Sequence, residues 1–165
     1  MRRMLAAFGV ITMLVLVVAV TASGSSSSGS AAKKRSVTFQ LVEKAVGSNF
    51  IDNPPRQGPN SPPLMGDQFT ITSDLLNKSG QHAGTLEALC TVTRGGPNPR
   101  GPCYGLFGLK GGQIAGMALL SNGNVTHIAV VGGTGVYEGV TGSVLSVSRG
   151  QNSPFTDDTV HLIWP

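Results

Sequence analysis

Hydrophobic and polar residues alternate with a period of two along most of the chain from residue 36 onward. In the first such stretch Val37, Phe39, Leu41 and Glu43 share one face, and the residues between them share the other. A period of two is typical of β-strands, because successive side chains of a strand point to opposite faces. Similar runs follow at 69–72, 85–93, 104–109, 114–121, 125–131, 143–148 and 159–164. The pattern predicts about eight strands and no helix.

Segments rich in Gly, Pro and Asn separate the predicted strands. The strongest of these turn signals is Asn122-Gly123, which predicts a two-residue hairpin turn with positive φ at both positions. Others lie at 53–63, 78–80, 95–99, 111–112, 132–133 and 152–154. Short strands joined in sequence by tight turns, without crossover helices, predict an all-β fold that is either an antiparallel barrel or a sandwich.

The first 22 residues have the pattern of a secretory signal peptide. A cationic start at Arg2 and Arg3 is followed by an apolar run and by small residues ending at Ala22. The apolar run of about 16 residues is shorter than the roughly 20 that a spanning helix needs, which favours cleavage over a membrane anchor. We therefore expect a secreted protein with no membrane partner after cleavage.

The remaining chain divides into a linker and one domain. Residues 23–35 are Ser, Gly and Ala followed by three basic residues, a composition typical of a flexible spacer. Residues 36–165 are enough for a single domain with its own core, and too few for two ordinary ones.

The formal net charge of +4 belongs to the leader and the linker. From Ser36 onward the chain has seven Lys and Arg against eight Asp and Glu, so the predicted domain is close to neutral. A nucleic-acid binder needs a basic face that contacts phosphates. We therefore expect no nucleic-acid partner.

The sequence predicts neither a metal nor a cofactor. The three histidines are far apart and do not show metal-ligand spacing. The glycine-rich segment 132–139 does not have its third glycine at the offset of a dinucleotide fingerprint, and a predicted strand follows it instead of a helix. It is instead expected to form a tight turn between two strands, with four structural glycines: Gly132, Gly133, Gly135 and Gly139.

Glu43 is the first candidate for chemistry. Its position on the predicted buried face with Phe39 and Leu41 implies that its carboxylate is either paired or has a raised pKa suited to acid–base work. The alternative is that Glu43 lies at the strand end and is already in solvent.

Cys90 and Cys103 are the only cysteines, separated by a Pro- and Gly-rich loop. Strands on either side of such a loop would bring the two sulfurs close together. In an exported chain, cysteines that flank one hairpin loop usually pair. The sequence therefore predicts a Cys90–Cys103 disulfide.

Three segments resemble the allene oxide cyclase and dirigent-type barrel superfamily. They are Gly66 to Leu75 (GDQFTITSDL), Ala88 to Thr91 (ALCT) and the glycine-rich segment Val131 to Gly142 (VGGTGVYEGVTG). The resemblance spans about residues 36 to 165. It implies an eight-stranded antiparallel barrel, lipocalin-like and often trimeric, with a cavity for a small hydrophobic or phenolic ligand.

The resemblance also implies roles for individual residues. Glu43 and Cys90 match the glutamate and cysteine of the cyclase site, which implies that they are catalytic. For Cys90 this holds only if the residue is not in a disulfide. Ala45 and Ser73 stand where the cyclases have Asn. The residues expected to contact the ligand are Phe39, Leu41, Phe69, Ile71 and Ser73.

Two functions follow from the resemblance. The first is a secreted barrel that orients its ligand for cyclisation or isomerisation, as an isomerase of the allene oxide cyclase type. The second is a non-catalytic dirigent-type or structural binding protein that guides phenolic coupling.

Overall fold

The computed structural model describes residues 34–53, 58, 60–120, 122–150 and 152–165. The predicted signal peptide and nearly all of the predicted linker lie outside the described residues. Within the described residues, no helix is long and apolar enough to span a membrane.

Eight strands form a closed barrel in which each strand is antiparallel to both of its neighbours, and the last strand pairs with the first. Closure leaves no edge strand exposed. The strands are β1 (Arg35–Ile51), β2 (Gln68–Leu76), β3 (His82–Thr91), β4 (Pro102–Leu109), β5 (Gly112–Leu119), β6 (Val125–Gly133), β7 (Thr141–Ser148) and β8 (Phe155–Trp164). The predicted eight-stranded antiparallel barrel is confirmed.

The first strand is longer than its sequence pattern predicts. It continues through a bulge, where the register with β2 shifts between Ala45 and Gly47, and such a bulge bends and twists a strand. Glu43 is opposite Leu75 on β2 and opposite Thr156 on β8. It therefore lies well inside a paired strand, and the alternative of a strand end in solvent is wrong.

An apolar core fills one end of the barrel, which we call the plug. Its side chains come from all eight strands and from the β6–β7 loop, and burial of each aliphatic side chain contributes about 1.5–3 kcal/mol. The plug comprises Leu41, Leu75, Leu86, Phe107, Ile114, Val130, Val140, Val144, Val160 and Leu162.

The expected two-residue turn at Asn122-Gly123 is wrong. Gly123 does not have positive φ, and β5 ends at Leu119 whereas β6 starts at Val125, so the strands are not joined by a two-residue turn. The reason is that β5 and β6 separate before they reach the loop, so no tight turn is needed to join them.

The glycine-rich segment is also not a single tight turn. Gly132 and Gly133 are the last residues of β6, and a short 3-10 helix, Gly135–Tyr137, follows within the loop to β7. The φ angles of Gly135 and Gly139 are +63° and +71°, a region that side chains disfavour. The backbone therefore requires glycine at these two positions.

Gly133 and Gly132 form a matched pair for testing this loop. A Cβ on Gly133 would lie 2.6 Å from the Tyr137 carbonyl oxygen and 2.7 Å from that of Gln113, whereas a Cβ on Gly132 meets nothing within 4 Å. We expect Gly133→Ala to lower the free energy of unfolding by about 1–3 kcal/mol and Gly132→Ala to change it little. Urea unfolding of both variants checks this, and equal effects would contradict the close packing at Gly133.

Candidate functional site

Above the plug, the barrel contains a cavity of about 260 Å³. One wall is apolar and comes mainly from β2 to β6, with Ile71, Leu86, Ala88, Phe107 and Ile128 among its residues. The opposite wall is polar and comes from β1, β6, β7 and β8, with Glu43, Thr126, Ser146, Ser148 and Thr156. A ligand in this cavity would therefore meet polar groups on one side only.

Four polar residues form a row across the inner surface of strands β2, β1, β8 and β7. Ser73 Oγ donates a hydrogen bond to Glu43 Oε1 at 2.7 Å, and Ser146 Oγ donates one to Asp158 Oδ1. Ser146 and Asp158 are directly opposite each other on β7 and β8. Asp158 is opposite Leu41 on β1, two residues before Glu43, so the two carboxyl groups are diagonal neighbours on one face.

Asp158 is the more deeply buried of the two acids, with 1% of its surface exposed. Burial raises the pKa of Asp158 to about 7, the hydrogen bond from Ser146 opposes the rise, and the negative charge of Glu43 adds to it. Among the described residues no group hydrogen-bonds to Asp158 Oδ2. A buried carboxyl oxygen without a partner fits a protonated, neutral acid better than an ion.

Glu43 differs from Asp158 because it lines the cavity. Burial raises the pKa of Glu43, and the hydrogen bond from Ser73 partly offsets the rise. A carboxyl group with a raised pKa that faces an apolar cavity has the properties of a general acid or base. Glu43 can therefore reach a bound molecule directly, whereas Asp158 acts on Glu43 and Ser146 from beneath the cavity.

The five residues expected to contact the ligand have three different locations. Ile71 lines the cavity, and Ser73 is fully buried and donates a hydrogen bond to Glu43. Leu41 is part of the plug and Phe39 packs against the plug, and neither residue is part of the cavity lining. Phe69 is also absent from the lining and stacks at a tilt on Phe50, with ring centroids 4.8 Å apart.

The predicted disulfide is present. Cys90 and Cys103 are opposite each other on β3 and β4, and their sulfurs are bonded. Both residues line the cavity, so the disulfide forms part of its wall. Cys90 therefore has no thiol in this structure, and the condition for its catalytic role is not met.

The sequence reasoning missed Asp158 and Ser146. The last strand was expected to start at residue 159, whereas β8 starts at Phe155. Asp158 lies on the same face of its strand as Val160 and Leu162, which are both buried. Ser146 lies two residues after the buried Val144 and so also on the inner face. Extending the period of two by one step in each strand would have placed both residues inside the barrel.

Solved structures share this fold at low sequence identity. The chain is similar to pyocyanin demethylase (TM-score 0.62, 22% identity, covering 76% of this chain and 99% of that one). It is also similar to AbnU, an exo-specific intermolecular Diels–Alderase, with a TM-score of 0.60 and 14% identity, covering 79% of this chain and 98% of that one. The pterocarpan synthase dirigent protein GePTS1 is similar with a TM-score of 0.60 and 13% identity, covering 80% of this chain and 90% of that one. No protein-family model matches the sequence, and no curated protein matches it either.

The chain therefore has the β-barrel fold of dirigent proteins and Diels–Alderases. This is the barrel fold that the resemblance in the sequence implies. The residues inside the barrel, rather than the fold, must decide what this protein does.

Asp158 predicts a dependence of stability on pH. The pKa of its carboxyl is 3.8 in the absence of the fold and about 7 within it, so the folded protein binds more protons between these values. The free energy of unfolding should therefore fall as the pH rises from about 4 to about 7, by as much as about 4 kcal/mol, and this contribution should level off above pH 7. We expect Asp158→Asn to remove most of this fall in urea unfolding at a series of pH values.

Asp157→Asn is the matched control for that experiment. Asp157 is exposed on the outer face, where a hydrogen bond from Arg149 lowers its pKa. Its charge is the smallest of the contributions to the raised pKa of Asp158, so its replacement should leave most of the fall in place. An Asp158→Asn variant that loses stability across this pH range as the wild type does would show that Asp158 is ionised in the folded protein.

Proposed function

We propose that this protein is secreted, that it holds a small apolar or aromatic molecule in its barrel cavity, and that it orients this molecule for a cyclisation or isomerisation. The observation that carries the proposal is the position of Glu43, a carboxyl group with a raised pKa in the wall of a cavity whose opposite wall is apolar. Such a cavity fixes a ligand in one direction, because only one wall offers polar partners.

Orientation supplies the first part of the proposed activity. Leu86, Phe107 and Ile128 offer apolar surface to the ligand, while Glu43 and Ser146 offer hydrogen-bond partners on the other side. Holding the reacting atoms of one molecule close together, in a folded conformation, removes much of the entropic barrier to ring closure. A reaction of this kind needs few reactive groups from the protein.

Proton transfer supplies the second part. Glu43 is placed to give a proton to an oxygen of the ligand or to take one from an adjacent carbon, and burial raises its pKa, which favours the protonated form that can act as an acid. Asp158 acts as a positioning residue. It holds the Ser146 hydroxyl, and its proximity to Glu43 disfavours the state in which both acids are ionised.

The comparisons support cyclisation as the reaction class. The similar structures include an intermolecular Diels–Alderase, whose name describes ring formation, and a dirigent protein. Because the sequence identities are low, these proteins indicate only which reactions a barrel of this fold can accommodate. The choice of reaction for this chain rests on Glu43.

A binding protein without catalysis is the second candidate. The disulfide removes the Cys90 thiol, and Ala45 and Ser73 replace the two Asn that the cyclases have. On this alternative, the barrel guides the coupling of phenolic molecules or carries a ligand, and Glu43 only hydrogen-bonds to it.

Substitution of Glu43 separates the two functions. Mass spectrometry of small molecules that co-purify with the exported protein identifies a ligand, which is then tested for turnover together with epoxide and phenolic probes. We expect Glu43→Gln to keep the cavity and bind the ligand, but to lower turnover by about 10²–10⁴-fold because the proton can no longer be exchanged.

Glu87→Gln provides a control with the same chemical change on the outer face of β3, where Glu87 is exposed and accepts a hydrogen bond from Thr72. It should leave turnover unchanged. If Glu43→Gln also leaves turnover unchanged, the acid–base role is refuted and the binding function is favoured.

Export is tested on the protein itself. The signal-peptide pattern ends at Ala22, so N-terminal sequencing of protein recovered from outside the cell should begin at about Ser23. Protein that remains cell-associated and keeps Met1 would contradict secretion.

The proposed partner is a small hydrophobic or phenolic ligand, with no nucleic acid and no membrane after cleavage. A homo-oligomer, the trimer that the resemblance implies, stays a prediction.

A further inference from the structure

The barrel buries two acids without a basic residue beside them. The lining of the cavity includes the Glu43 carboxyl, and it contains no Lys, Arg or His among the described residues. Asp158 lies beneath the cavity with 1% of its surface exposed, and neither acid forms an ion pair within the part of the chain that the structure describes. The ion pair nearest to Asp158 in sequence, Arg149–Asp157, has both side chains exposed on the outer face. The protein therefore supplies no described positive charge for either buried acid.

The two acids influence each other across neighbouring strands. Glu43 is opposite Thr156 and Asp158 is opposite Leu41, so the two carboxyl groups are diagonal neighbours on the inner face. The negative charge of Glu43 adds to the rise in the pKa of Asp158. Ionisation of one acid therefore makes ionisation of the other less favourable. A cation in the cavity would have the opposite effect, because a positive charge stabilises a nearby carboxylate.

The Glu43 carboxyl can accept more hydrogen bonds than the protein gives it. Ser73 Oγ donates one to Oε1 at 2.7 Å, and no other described side chain hydrogen-bonds to this carboxyl. An ionised carboxyl has about four acceptor positions on its two oxygens. The hydrogen bond from Ser73 favours the ionised form, whereas burial favours the protonated one. A ligand that brings both a positive charge and N–H donors would shift this balance towards the ionised form.

The hydroxyl groups in the polar wall do not select between charges. Thr126 and Thr156 line the cavity together with Glu43. A hydroxyl can accept a hydrogen bond from a protonated amine, and it can also donate one to an anion. The charge of the preferred ligand is therefore decided by the carboxyl groups. A protonated amine suits them, because it has N–H donors and no acceptor.

An anionic group meets unfavourable conditions in the same place. A carboxylate at the polar wall would lie beside Glu43, with no described Lys, Arg or His in the lining. Burial of an ion without a partner of opposite charge is costly, and repulsion between like charges adds to the cost. A neutral hydroxyl group avoids both costs but gains no attraction between charges. The expected order of preference is therefore a cation, then a neutral group, then an anion.

We propose that the cavity selects its ligand by charge, and that Glu43 binds a protonated amine at the polar end of this ligand. The substrate class is then a small apolar or aromatic molecule with one basic nitrogen, and carboxylic acids of the same size are rejected. Leu86, Phe107 and Ile128 on the opposite wall contact the apolar part of the molecule. This inference rests on the proposed function, because it assumes that a ligand occupies the cavity with its polar end at Glu43.

Three naphthalene derivatives that share one ring system test this selection. They are 2-naphthylmethylamine, 2-naphthylmethanol and 2-naphthoic acid, which at neutral pH carry a positive charge, no charge and a negative charge. Isothermal titration calorimetry measures their affinities under one set of conditions. We expect the wild type to bind the amine about tenfold more tightly than the alcohol, because hydrogen bonds between charged groups are the stronger ones. The carboxylate should bind about 10²-fold more weakly than the amine.

Glu43→Gln removes the charge of the carboxyl and keeps its size. The readout is the ratio of the amine affinity to the alcohol affinity within each variant, which corrects for any general change in the cavity. This ratio should fall from about ten to about one in Glu43→Gln. Glu87→Gln makes the same chemical change on the exposed outer face of β3, where Glu87 accepts a hydrogen bond from Thr72, and it should keep the wild-type ratio. Far-UV circular dichroism establishes that both variants keep the fold.

The outcomes distinguish this inference from the function on which it rests. If the alcohol binds and the wild type binds the amine no more tightly, or prefers the carboxylate, charge selection is overturned and the cavity proposal stands. A ratio that stays at its wild-type value in Glu43→Gln also overturns it, because the preference then has another origin. If none of the three compounds binds, the cavity proposal fails and the inference fails with it.

Discussion

The structure depends on the burial of two carboxyl groups inside one closed barrel. Strand alternation directs both Glu43 and Asp158 inward, and closure leaves them no outer edge on which to reach solvent. Ionising a carboxyl group in such surroundings costs several kcal/mol. The two acids are tolerated because Ser73 and Ser146 hydrogen-bond to them, and because the pKa of Asp158 rises to about 7 so that it can remain neutral.

The plug creates the apolar surroundings of the two carboxyl groups, and its own burial offsets the free-energy cost of burying them. Leu41, Val160 and Leu162 pack beneath the acids on the same two strands, and each is at least 95% buried. Their burial stabilises the barrel while it excludes water from Asp158. The interior is thereby divided into a dry lower end, which sets the pKa of Asp158, and an open upper end, where Glu43 meets the cavity.

The fold was predictable from the sequence to a greater extent than the site. A period of two is a local property, so it revealed the eight strands and the inward side of Glu43, and the Pro- and Gly-rich loop between Cys90 and Cys103 indicated their pairing. The contact between Ser146 and Asp158, and the division between plug and cavity, depend on register and closure, which no local pattern contains. The same limit explains the error at Asn122-Gly123, because the pairing of β5 with β6 ends at Met117 and Ala129, before the loop, and no local pattern contains this.

The choice of serine as the partner of both acids bears on how the site would work. A hydroxyl group can donate to a carboxylate and can rotate to accept from a protonated carboxyl. Ser73 can therefore keep a hydrogen bond with Glu43 before and after a proton moves, and Ser146 can do the same for Asp158. Since each serine can keep its hydrogen bond in both states, the barrel does not need to rearrange when Glu43 gains or loses a proton. This rigidity suits a site whose main contribution is to hold a ligand in one orientation.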